Sequence, residues 1–182
     1  DLTRGDVEID RRMVDYIVGL DTELSELVEG SHLYYPKVKI DQVILPDEQK
    51  ELIIETVSNY SRFSQARLNL GFDELIPYGR SMIMLFYGPS GTGKTMMANA
   101  IANHLGKKVL LINYTTLGGN FADETIKFIL RECRINDAIL FFDECESIFE
   151  DRALGNPDIG VLLTELERHD GLIIMATNRA FD

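Results

Sequence analysis

The chain has 182 residues, of which 45% are hydrophobic and 26% charged. That composition supports one principal globular domain with a sizeable core and excludes a disordered tail or a disulfide scaffold. Eighteen Lys and Arg stand against 30 Asp and Glu, a formal net charge of −12, which disfavours a broad basic surface for duplex DNA or anionic lipid.

No apolar run approaches the roughly 20 residues of a membrane span; the longest is Met82-Ile83-Met84-Leu85-Phe86-Tyr87. The N-terminus is charged, lacks a signal-peptide core and does not begin with Met, as expected of a processed or partial chain. Cys133 and Cys145 belong to no CxxC and no Cys/His cluster. They suit a reducing cytoplasm and read as small buried residues, with no adjacent His to make them nucleophiles. His32, His104 and His169 are isolated and read as surface or helix-end residues.

Residues 1–36 form a leader. Met13, Tyr16, Ile17 and Leu20, then Leu24, Leu27 and Val28, recur at helical spacing up to about residue 35, and Gly19 and Gly30 act as breaks. Tyr34-Tyr35-Pro36 reads as a linker, because proline pushes its predecessor out of the α region. A short extended piece, Val38–Leu45, leads to Pro46, a favoured opener of a helix, followed by Asp47 and Glu48 where the helix dipole favours acids. That helix is expected to bury Leu52, Ile53, Val57, Tyr60 and Phe63 and to end near Gly71.

From residue 81 the pattern alternates. Apolar runs at 82–87, 109–112, 139–142 and 172–175 have strand length, and helical stretches near 94–105, 122–134 and 158–168 lie between them. Continuous apolar runs indicate parallel strands covered on both faces. Right-handed crossovers then give a doubly wound α/β core.

Three motifs sit at the carboxyl ends of those strands. Gly88-Pro89-Ser90-Gly91-Thr92-Gly93-Lys94-Thr95 matches G-x-x-x-x-G-K-[ST] between a strand and a helix. Its glycines permit a tight loop whose N–H groups can wrap phosphate oxygens, aided by the positive end of the helix dipole. Lys94 can reach β and γ phosphates, the Thr95 hydroxyl can ligate Mg²⁺, and Met96 continues the nucleotide-binding stretch. Ile139-Leu-Phe-Phe-Asp143-Glu144 places an acidic pair at a strand end, where open α/β sheets bind ligands. Asp143 can hold Mg²⁺ and Glu144 can activate a water, although acids also simply favour helix starts. In Leu172-Ile-Ile-Met-Ala-Thr177-Asn178 the asparagine is either a turn former or, if its strand lies centrally, a ligand to the γ-phosphate or attacking water. The absence of Asn-Lys-x-Asp disfavours guanine.

GPSGTGKT, ILFFDE and LLTELERHDGLIIMATNR, in that order, resemble the AAA+ ATPases, in particular their AAA subgroup, over roughly residues 38–182. The resemblance implies a P-loop NTPase three-layer sandwich with parallel sheet order 5-1-4-3-2. It makes Lys94 and Thr95 Walker A, Asp143 and Glu144 Walker B, and Asn178 sensor 1. Glu144, Lys94 and Asn178 are then the catalytic set, with ATP or ADP and Mg²⁺ as cofactors. VKIDQVILPDEQK resembles the family's approach to the adenine, with Val43 and Ile44 the candidate contacts.

The family pattern is not matched everywhere. Where the pore loop carries an aromatic residue, alignment places Gly119, and Phe121 falls two positions later, which puts peptide threading in question. Arg152 resembles a basic position near the subunit contact but equally suits solvent. The arginine fingers, fifth strand and helical lid are expected beyond Asp182, leaving an incomplete large subdomain at 37–182 and the Gly88-loop strand at the sheet edge. Residues 1–36 are then a helical segment or the end of an upstream domain. The resemblance implies Mg-dependent ATP hydrolysis that drives remodelling of a protein or other macromolecule, in a homo-oligomeric ring with a protein substrate or adaptor. Two other readings are a nucleotide-binding assembly module with little hydrolysis and a DNA-acting loader or helicase, the second without support from the charge.

Overall fold

The computed structural model of the chain describes residues 28, 30–75, 79–113, 123–146, 148 and 157–179. Strand β1 (Ser31–Tyr34) is followed by a 3₁₀ turn at Ile40–Gln42, helix α1 (Asp47–Asn69) and the short α2 (Phe72–Leu75). Alternation then sets in: β2 (Met82–Tyr87), α3 (Lys94–His104), β3 (Lys108–Asn113), α4 (Asp123–Ile135), β4 (Ala138–Asp143), α5 (Pro157–Arg168) and β5 (Leu172–Thr177). The helical leader expected over 1–27 lies outside the described residues.

The five strands form one sheet in the order β1-β3-β4-β5-β2. β3, β4, β5 and β2 are parallel, so β5 lies centrally and β2 is an edge, as the resemblance implies. β1 corrects the reading of residues 31–35 as helix and linker: Ser31–Tyr34 pairs antiparallel with β3, Ser31 opposite Ile112. Its four residues are too few to show a period of two, and their partner lies some eighty positions downstream.

Alternation along the central strands divides the core. Leu140 and Phe142 of β4 face α4 and α5, packing among Ile126, Ile129, Leu162 and Leu166. Ile139 and Phe141 face the other way, against Met97, Ala98 and Ile101 of α3 and Val57 of α1. All of β5 is buried, and this two-sided cover is the physical basis of its unbroken apolar run. β2 differs. Met82, Met84 and Phe86 pack on the α3 face, while Ile83, Leu85 and Tyr87 are exposed, so the expectation of cover on both faces fails for this strand.

α1 begins one residue after Pro46, and its last turn ends at Asn69 with Gly71 at φ 69°, a left-handed conformation glycine adopts without strain. Only Val57 is fully buried in it; Leu52 and Phe63 are exposed, contrary to the expected stripe. Val57 and the partly buried Ile53 pack on the core as expected, and a polar tie adds to them. The Tyr60 hydroxyl donates to the Arg80 carbonyl at 2.6 Å, with the Gly171 carbonyl 3.2 Å away, and burial pushes that phenol up to about 12.

Both cysteines are fully buried, and burial pushes each thiol up to about 12, which keeps them protonated and unreactive. His32 and His104 are exposed, but His169, expected at the surface or a helix end, follows α5 with 3% exposure. Its imidazole fills the space beside Gly171, where an added Cβ would stand 2.7 Å from Nε2. Burial, reinforced by Arg134 and partly opposed by Asp170, lowers its pKa to about 4. The unfolded chain, with an ordinary value near 6.5, therefore takes up the proton first as pH falls. The stabilising contribution is complete above pH ~6.5 and declines between about 6.5 and 4. Urea unfolding should show the wild type losing about 2 kcal/mol more than His169→Gln between pH 7 and 4.5. Equal losses would contradict this assignment.

Candidate functional site

The parallel strands end in register at one edge of the sheet: Tyr87 opposite Thr177, and Asn113 opposite Asp143. Loops leaving these ends carry the three sequence motifs, and the central position of β5 brings the third between the first two.

The turn from β2 to α3 is closed by Thr92, whose hydroxyl donates to the Pro89 carbonyl at 2.9 Å. Gly91 and Gly93 have φ of 80° and 91°, and an added Cβ would meet nothing within 4 Å at either. Glycine is needed there for backbone conformation, not for space. Gly93 caps α3, whose first turn leaves N–H groups without intrahelical partners and pointing out of the helix end. Lys94 folds back over the loop: its Nζ donates to the carbonyls of Gly88 (2.7 Å) and Pro89 (2.9 Å) and to Oδ1 of Asn178 (2.9 Å).

The Thr95 hydroxyl donates to Asp143 Oδ2 at 3.1 Å, and the other carboxylate oxygen of Asp143 accepts the N–H of Glu144 at 3.0 Å. Two hard oxygen donors thus meet at the base of the loop, the donor type that suits Mg²⁺. Glu144 is exposed with φ 53°, a left-handed backbone that is uncommon for a side-chain-bearing residue. Cys145, next in the turn, donates its N–H to the Ala176 carbonyl at 3.0 Å. Glu146, two residues beyond the acidic pair and not singled out by any of the three motifs, accepts the Asn178 N–H through Oε1.

A cavity of about 340 Å³ opens between these groups, bordered by Ser90, Gly93, Thr95, Asp143, Glu144 and Asn178 and also touched by Met96. A neighbouring cavity of about 370 Å³ shares Gly93 and Lys94 with it and extends to Leu45, Gln49, Ile53 and Phe86. The second cavity is the more apolar in its walls. Neither Val43 nor Ile44, the expected adenine contacts, lines it. Val43 is buried in the core beneath, and Ile44 is 96% exposed. The wall comes from Leu45, one residue further on. Phe121 and Arg152 lie outside the described residues.

A strand, a glycine-rich loop with lysine and threonine at the start of a helix, and acids at the end of a second strand in a parallel α/β sheet define a P-loop NTPase. Residues 84–182, more than half the chain, match the family model for the ATPase family associated with various cellular activities (AAA). The chain belongs to the AAA family of ATPases. Residues 1–31 match a second model, the winged helix domain, variant.

The chain is 33% identical over 167 residues to Protein SAV of Sulfolobus acidocaldarius, covering 85% of the chain and 21% of that protein. It is 32% identical to the 26S proteasome regulatory subunit 6B homolog of Encephalitozoon cuniculi, covering 80% and 40%. It is 33% identical to an AAA ATPase forming ring-shaped complexes from Corynebacterium diphtheriae, covering 73% and 30%. The chain therefore spans from about a fifth to two fifths of the length of these relatives. Among solved structures, C. elegans PCH-2 matches with a TM-score of 0.58 and 22% identity, over 83% of this chain and 45% of that one, a likeness of fold.

Proposed function

We propose that the chain binds ATP across the two cavities and hydrolyses it with Mg²⁺, as the ATPase part of a ring-forming protein that remodels protein substrates. The observation that carries this reading is the convergence of three separate loops on one cavity: Lys94 on Asn178, and Thr95 on Asp143. In this reading the loop amides of Gly88–Thr95 hold the phosphates, and Met96 follows in the first turn of α3. The Lys94 ammonium exchanges the Gly88 and Pro89 carbonyls for β and γ oxygens, which match its three donors better in charge. Thr95 and Asp143 would hold Mg²⁺, which supplies charge neutralisation at the phosphates when bound. Glu144 accepts a proton from the attacking water, and Asn178 orients that water or the γ-phosphate. Leu45 and Ile53 border the base.

Several supports bear on the wider reading. One relative is described as forming ring-shaped complexes and another as a proteasome regulatory subunit, which favours a homo-oligomeric ring and a protein substrate or adaptor. The net charge of −12 argues against nucleic acid. Among the described residues no helix is long and apolar enough to cross a membrane. The two free, buried thiols suit a reducing compartment such as the cytoplasm. The ATPase part is residues 37–182, and the winged-helix match of residues 1–31 favours assigning the leader to a preceding domain.

Phosphate release by the full-length protein tests the reading. Turnover is expected with ATP and Mg²⁺ and should fall at least about 100-fold when EDTA removes the metal, since the ion supplies several kcal/mol of transition-state stabilisation. Turnover unchanged by EDTA would overturn it.

A further inference from the structure

We propose that Glu146 is a positioning residue for the reaction. On this assignment its carboxylate fixes the backbone of Asn178, so that the Asn178 side chain faces Lys94 and the γ-phosphate region. The proposal rests on the ATPase reading above and adds a residue to it.

β5 delivers its last ladder residue at Thr177, and Asn178 is the first residue beyond the sheet. An N–H just past a strand end has no ladder partner guaranteed to it, and the residue carrying it would otherwise be free to turn. Here that N–H donates to Oε1 of Glu146. The contact is charge-assisted, the stronger class of hydrogen bond. The same short turn is anchored one residue earlier by the Cys145 N–H on the Ala176 carbonyl, at 3.0 Å. Two successive residues of the turn after β4, Cys145 and Glu146, therefore hold Ala176 near the end of β5 and Asn178 just past it.

The side chain of Asn178 then has a defined direction. Its Oδ1 meets Lys94 Nζ at 2.9 Å, while the Arg179 N–H is taken by Thr177 Oγ1 at 3.2 Å. Glu144 and Glu146 leave the same turn, and Asp143 accepts the Glu144 N–H. Movement of the turn that carries the acidic pair is thereby transmitted to Asn178 through Glu146. Glu146 does not border the cavity beside Lys94 and Asn178, so its effect runs through Asn178.

The test is a double-mutant cycle on ATP turnover in the full-length protein, with ADP affinity measured alongside. Losing a hydrogen bond to a charged group costs about one order of magnitude. Glu146→Ala should lower kcat about 10-fold while ADP affinity stays within about 2-fold. Glu146→Gln keeps the accepting oxygen and should retain most of the activity. In an Asn178→Ala background, Glu146→Ala should have almost no further effect, because the residue it positions is gone. The proposal is overturned if Glu146→Gln is as damaging as Glu146→Ala, or if the loss is equally large in the Asn178→Ala background.

Hydrogen exchange at the Asn178 amide separates this from the ATPase reading. Absence of turnover in the wild type would refute that reading, yet exchange would still report on Glu146. Glu146→Ala should speed exchange at Asn178 at least about 10-fold relative to wild type and Glu146→Gln. An unchanged rate overturns the proposal.

Discussion

Lys94→Ala is expected to abolish nucleotide binding. Its ammonium now makes three hydrogen bonds, two to loop carbonyls and one to Asn178. The Pro89 and Asn178 contacts are exposed and the Gly88 contact is half-buried, so water can largely replace the lysine and the cost to folding should stay at about 1 kcal/mol. On a phosphate the same group makes charge-assisted bonds worth about 1.5–3 kcal/mol each. Losing two of these weakens affinity by at least about 100-fold. Calorimetric titration with ADP and ATP measures the difference directly. Retained affinity would mean that the Gly88–Thr95 loop is not where the phosphates sit.

Glu144→Gln separates chemistry from binding. The side chains are isosteric, and glutamine tolerates the left-handed backbone at φ 53° no worse than glutamate does. Folding should be unaffected. Removing one negative charge beside the phosphates should leave ATP affinity unchanged or stronger. A general base contributes about 10²–10⁴ to a rate, and kcat should fall by a factor in that range. The variant should accordingly accumulate bound ATP. Wild-type turnover in Glu144→Gln would show that another group prepares the water.

Much of this candidate site is legible in the sequence, for physical reasons that differ from motif to motif. The loop Gly88–Thr95 is legible because its chemistry demands glycine and lysine at fixed spacing on a continuous stretch of chain. Asp143 and Asn178 are legible because parallel strands all deliver their carboxyl ends to one edge. Four parallel strands and their crossover helices followed from apolar runs of the right length.

What escaped depends on contacts between distant segments. The β1 sequence SHLY has no strand signal without β3 beside it. The run MIMLFY reads as covered on both faces, but a sheet edge covers only one, leaving Ile83, Leu85 and Tyr87 exposed. His169 looks like any polar helix end until Gly171 and Arg134 are seen beside it. Val43 and Ile44 fall two residues and one residue short of the cavity wall, because the segment after the 3₁₀ turn at Ile40–Gln42 buries Val43 in the core, exposes Ile44 and brings Leu45 to the cavity. Glu146 carries no signal in one dimension, since acids are common at helix starts. Its partner is 32 residues away in sequence.

The nucleotide recovered from the assembled full-length protein after brief incubation with labelled ATP and Mg²⁺ tests the central claim most directly. The account predicts ADP from the wild type, ATP from Glu144→Gln and no nucleotide from Lys94→Ala. ADP recovered from Glu144→Gln as fast as from the wild type, or label retained by Lys94→Ala, would contradict it.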